Sequence, residues 1–134
     1  MAVNYIAVLI AALAYMIVGM LWYGPLFGKH WMSLVGFTDK DAKKMKNKKM
    51  GAIFGLTFLS GIVTAYALGF TLAYLEVRSI WLAFQVAFWL WLAFAAMVQL
   101  PHYLHERKSI KLYLITVGYE LVYFLAMALV FAVW

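Results

Sequence analysis

Four long apolar stretches fill almost all of this chain, and they leave few folds open to it. They run about 5–22, 51–75, 80–100 and 112–134. Each is close to the roughly 20 residues that cross about 30 Å of hydrocarbon as an α-helix. Helices rather than strands are implied. The runs hold no internal turn signals, and backbone facing lipid must satisfy its own hydrogen bonds. The predicted fold is an all-α integral membrane protein. One membrane domain covers residues 1–134, with four transmembrane helices in a compact bundle and an amphipathic loop over residues 24–50.

Composition agrees. The chain is 68% hydrophobic and 12% charged, against about 45–50% and about 25% in soluble domains. No stretch is left over for a soluble domain. The start, Met1-Ala2-Val3-Asn4-Tyr5, has no basic region before the apolar run. That run is also longer than a signal-peptide core of about 7–15 residues, so it is expected to stay as a membrane helix. Cysteine is absent, which removes disulfide and thiolate chemistry. The net charge of +6 sits in loops beside apolar segments. It reads as topology and contact with anionic headgroups, and nucleic acid is not an expected partner.

The lysines set an orientation. Loop one holds Lys29, Lys40, Lys43, Lys44, Lys46, Lys48 and Lys49; loop three and its edge hold Arg107, Lys108 and Lys111. Loop two holds only Arg78, beside Glu76. Loops one and three must share a side, and the positive-inside rule puts that side in the cytoplasm, with both termini outside. The expected location is the prokaryotic cytoplasmic membrane. Trp22, Tyr23, Phe27 and Trp31 fall at the predicted inner interface and read as anchors. Phe27 and Trp31, four apart, could dip one face of a short helix into the headgroups. Thr38 and Asp41 have capping-box spacing for a helix over Lys40–Met50.

Small residues predict the packing, because lipid offers no hydrophobic drive between helices. The second span has Gly61, Ala65 and Gly69 at four-residue spacing, beside a row of Thr57, Thr64 and Thr71. Two such faces predict a central helix with neighbours on both sides. The first span offers Ala7, Ala11 and Ala14, and is expected to stop at Gly24-Pro25, since proline cannot continue a helix. The aromatic third span faces lipid or another protomer, so a homo-oligomer is expected.

Glu120 is the best lead on function. It lies nine residues past Lys111, about 13 Å deeper. Ionisable groups at that depth are costly and usually have a task. A neutral acid is the cheaper state there. Thr116 and Tyr123 share its face and complete a predicted proton or ion site. Gln85 and Gln99 on the third span read as hydrogen-bonding groups between helices. His102, His105 and Glu106 follow Pro101 at helical spacing, and His30 lies on the same side. They resemble part of a metal site but lack a full ligand set. No cofactor is predicted. No nucleophile–base pair, phosphate loop or dinucleotide fingerprint is present, so the reading leans away from an enzyme.

Two runs carry a family resemblance. Asn4-Tyr5-Ile6-Ala7-Val8 with Trp22-Tyr23-Gly24-Pro25-Leu26-Phe27-Gly28-Lys29-His30-Trp31-Met32, and Lys111-Leu112-Tyr113-Leu114-Ile115-Thr116-Val117-Gly118-Tyr119-Glu120-Leu121, resemble an uncharacterised family of small bacterial and archaeal membrane proteins, domain of unknown function 1761. The resemblance spans nearly the whole chain and implies a four-helix membrane domain with no established activity. Where the family pattern often has histidine, this chain carries Glu120. The leading expectation is an oligomeric transporter or channel with an intramembrane carboxyl. The alternatives are an accessory subunit docking another membrane protein, and a metal- or cofactor-binding membrane protein.

Overall fold

The computed structural model describes residues 3–36, 40 and 48–134. Among these there is no strand, and four helices are long and apolar enough to cross a membrane. Thr38, Asp41 and most of Lys40–Met50 lie outside the described residues.

α1 (Tyr5–Leu21) starts where Asn4 caps it, its side-chain oxygen accepting from the N–H groups of Ile6 and Ala7. Such a cap contributes about 1 kcal/mol. The first span does not stop at Gly24-Pro25. It widens into a π turn over Trp22–Leu26, closed by the Phe27 N–H on the Trp22 carbonyl at 2.8 Å. The five-residue spacing lets Pro25 sit inside the winding without an N–H of its own. The break comes at Phe27, with φ −125° and ψ 8°. α2 (Gly28–Val35) then turns back. A Cβ on Gly28 would lie 2.6 Å from the Tyr23 carbonyl oxygen, so only glycine permits this return. Gly36, at φ 71°, ends α2 in the left-handed region that glycine favours.

α3 (Lys48–Tyr74) is the second span. The third is α4 (Ile80–Trp91), a π turn over Leu92–Ala96, and α5 (Met97–His105). It was expected to end near Leu100, but winding continues through Pro101 to His105. α6 (Ile110–Val133) is the fourth.

The two short hairpins share one design. Val77 N–H donates to Leu72 and Glu76 N–H to Ala73; Lys108 N–H donates to Tyr103 and Arg107 N–H to Leu104. Both are Schellman closures. Ser79 and Ser109 then cap the next helix. The closures hold Glu76 at φ 54° and Arg107 at φ 56°, where a side chain is disfavoured. Glu76→Gly and Arg107→Gly should each stabilise the protein by about 0.5–1 kcal/mol. A fall in melting temperature in detergent for both variants would refute this.

α1 and α6 pack most extensively on each other and hold the centre. α3 packs mainly on α1 and also meets α6 and α4, and α4 packs mainly on α6. The second span has neighbours on two sides, as its small-residue faces suggested, with Gly61 against Tyr15 of α1 and Gly69 against Phe131 of α6, but it is not the central helix. Its threonine row marks no neighbour. Thr57 donates to the Ile53 carbonyl and Thr71 to the Ala67 carbonyl, so they are satisfied on their own helix and require no neighbour. The core is small side chains in close contact: Ala7, Ala11, Ala65, Ala83, Ala87 and Ala128 are all 0% exposed. Residues 51–56 of α3 are exposed throughout.

The orientation read from the lysines is testable because the chain has no cysteine. Single cysteines at Lys46 and Val77 should label from opposite sides of intact cells, Val77 from outside. Labelling of both from outside would overturn the topology.

Candidate functional site

α6 brings the polar groups together. Glu120 is ten residues into it, about 15 Å along an axis of about 36 Å. It is half-buried. Its partner comes from the third span: Gln99 Nε2 donates to Glu120 Oε2 at 2.5 Å. One turn away, Tyr103 Oη donates to Thr116 Oγ1 at 3.2 Å. Gln99 and Tyr103 are four apart, as are Thr116 and Glu120. Two antiparallel helices thus meet through matched pairs one turn apart. The Tyr113 hydroxyl donates to the Ala96 carbonyl, at the end of the π turn, at 2.7 Å.

Tyrosines close the site from the first span. Tyr15 lies edge-on to Tyr123 with ring centres 4.7 Å apart, Tyr119 meets Tyr123 at 4.9 Å, and Tyr23 meets Tyr119 at 5.1 Å. Tyr23 also reaches the Thr116 hydroxyl. Glu120 is within electrostatic reach of Tyr23, Tyr113 and Tyr123. Tyr15 Oη shares a hydrogen bond with Ser60 Oγ at 3.3 Å. Among the described residues the acid has no ion pair, and its hydrogen bond comes from the Gln99 amide.

Thr116 and Tyr123 are placed beside Glu120, but the hydrogen bond to the acid comes from Gln99. Gly61 faces the Tyr15 ring and Gly69 the Phe131 ring. The residues expected as anchors, Trp22, Tyr23, Phe27 and Trp31, are all part-buried. Trp22 Nε1 donates to the Ile115 carbonyl at 2.9 Å, over Gly118, which leaves room for the indole. Phe27 packs on Trp22 at 4.7 Å and Trp31 on Tyr23 at 5.6 Å. These ring contacts tie Phe27 and α2 to the end of the first span. Trp91 Nε1 donates to the Val117 carbonyl at 2.8 Å, so two indoles hold α6 beside the site.

His30, His102 and His105 are exposed, and among the described residues no three metal-ligating side chains come together. Glu106 instead pairs with Lys108 at 2.9 Å. The hydrogen bond and charge of Lys108 hold the Glu106 carboxyl below its usual range, and Glu106 raises Lys108 in turn. A cavity of about 290 Å³ lies at the opposite end, between Asn4, Leu72, Glu76, Arg78, Phe131 and Trp134. Glu120 is not part of its wall.

Four apolar helices enclosing a carboxyl at mid-span define a small polytopic membrane protein. The chain belongs to the family described as protein of unknown function (DUF1761), which matches residues 6–132. No curated protein and no solved structure matches it.

Proposed function

We propose that this chain is a small transporter or channel of the prokaryotic cytoplasmic membrane in which Glu120 takes up and releases a proton. The observation that carries this is the Glu120–Gln99 pair among hydroxyls at mid-span. An acid at bilayer depth is expensive in either of two ways: charged it lacks solvent, and neutral it lacks a task that glutamine could not perform. Gln99 serves both states. Its amide donates to a carboxylate and accepts from a carboxylic acid. A group whose partner fits both protonation states can cycle between them without rebuilding its surroundings. In this reading the lysines of loop one contact anionic headgroups. The protein works as a homo-oligomer, because the outer faces of α3 and α4 are left uncovered, with Leu56, Val63, Trp81 and Trp89 exposed. The test is proton flux in liposomes. Glu120→Gln should fold normally and lose pH-driven flux, whereas flux equal to that of the unaltered protein would sink the proposal.

A further inference from the structure

The two central helices are polar over one half only. In α6 the hydrogen-bonding side chains Tyr113, Thr116, Tyr119, Glu120 and Tyr123 are followed by ten apolar residues, Phe124 to Val133. That is about 15 Å of helix with no polar side chain. In α1 the nine residues from Ile6 to Ala14 are apolar, and Tyr15 begins the polar half. The apolar halves pack on each other and on the flanking spans. Val8, Ala11, Leu68, Ala87, Met127 and Ala128 there are at most 4% exposed. In this half of the flanking spans, Thr71 bonds its own helix, Thr64 stands between apolar turns, and Gln85 is exposed on the outer surface. The cavity at that end stops at Ala7, Gly69, Leu72 and Phe131. Phe131 is eleven residues, about 16 Å, from Glu120.

Toward the basic loops the surroundings are different. Thr116 lies one turn from Glu120, Tyr103 donates to Thr116, and Tyr23 reaches it from the π turn. Tyr103 ends at the surface, with Lys108 Nζ 5.4 Å from its ring centre. Glu120 is within electrostatic reach of Tyr23 from the first span and of Tyr113 and Tyr123 from its own helix. Tyr15 and Tyr119 stand behind them against the Tyr123 ring, and Tyr103 of the third span stands against Thr116. The exposed His102, His105 and Glu106–Lys108 pair stand beyond Tyr103.

We infer that Glu120 exchanges protons with the basic-loop side alone and is sealed from the other side by the apolar half of the bundle. The conformation is thus one state of an alternating-access cycle and not an open pore. This rests on the reading of Glu120 as a proton-exchanging group. In the proposed relay Tyr103 takes a proton from basic-side water and gives its own to Thr116, to which it already donates. Thr116 gives its proton across one turn to the Glu120 carboxylate as its side chain turns toward it. One proton thus moves inward, and each hydroxyl is left as it began.

The experiment is infrared titration of the protein in liposomes with a single orientation, checked by a cysteine at Val77. The carboxyl band is assigned by its loss in Glu120→Gln. A pH step on the basic-loop side should change the band, and a step on the other side should not. Tyr103→Phe should slow the response about tenfold or more, the scale of a lost proton-transfer group. Thr116→Val should do the same and guards against a folding defect in the first variant. A band that follows the opposite side, or both sides equally, would overturn one-sided access while leaving proton exchange intact. A Glu120 band that responds to neither side would overturn the exchange reading, and one-sided access with it.

Discussion

Gly61→Ala is expected to destabilise the protein by up to about 2 kcal/mol, although alanine is the better helix former. A Cβ at Gly61 would stand 2.5 Å from Tyr15 Cδ1 and 2.9 Å from Cε1. These are ring atoms near the root of the side chain, and the ring is held on its other side. Tyr123 lies 4.7 Å away, Tyr119 5.9 Å, and the hydroxyl is shared with Ser60. The ring or the helix must therefore move. Overpacking of this kind costs about 1–3 kcal/mol, against about 1 kcal/mol gained in helix propensity. Gly61→Leu should prevent folding. Gly51 and Gly55 on the same helix have open space where a Cβ would go, so Gly51→Ala and Gly55→Ala should be neutral or stabilising. Thermal unfolding in detergent compares the three alanine variants directly. If all three shift alike, the contact with Tyr15 is not what constrains Gly61. Partial rescue of Gly61→Ala by Tyr15→Ala would show that the two positions are coupled.

The same helix shows what the sequence could and could not reveal. Four helices were legible because length and apolar content answer to the bilayer alone. Helix ends were less so. Pro25 looked like a stop and the third span was expected to end near Leu100, yet Pro25 and Pro101 both lie inside helical winding. One sits within a π turn and the other follows one, and i→i+5 winding leaves no mark in composition. The stripe Gly61, Ala65 and Gly69 announced close packing but not which helices would approach. The threonine row misled because a threonine that bonds its own backbone looks the same in sequence as one that bonds a neighbour. Glu120 stood out for its depth. Gln99 reads as a hydrogen-bonding group between helices, and it is one, but nothing in its own segment ties it to Glu120. The signal was the matched spacing of Gln99 and Tyr103 with Thr116 and Glu120 across a short hairpin. The contribution of Tyr15 depends on the α1–α6 pairing, which no local pattern encodes.

Stability and flux should respond to different members of the Glu120 pair. Glu120→Gln keeps an oxygen that can accept from Gln99, so its melting temperature should stay close to that of the unaltered protein. Its pH-driven flux should fall by about 10²-fold or more, since a positioned proton carrier has been replaced by a group that cannot titrate. Gln99→Leu is the converse. It leaves Glu120 without its amide partner at mid-span, and an unsatisfied group there costs about 1–3 kcal/mol. The double variant Gln99→Leu with Glu120→Leu removes both polar groups and should recover most of that loss, because neither is left without a partner. A purely structural acid would give another pattern. Glu120→Gln would then be silent in flux as well as in stability, and the glutamate would be doing only what an amide can do. The two assays on these three variants separate the cases, since the hydrogen bond survives in Glu120→Gln and the titratable proton does not.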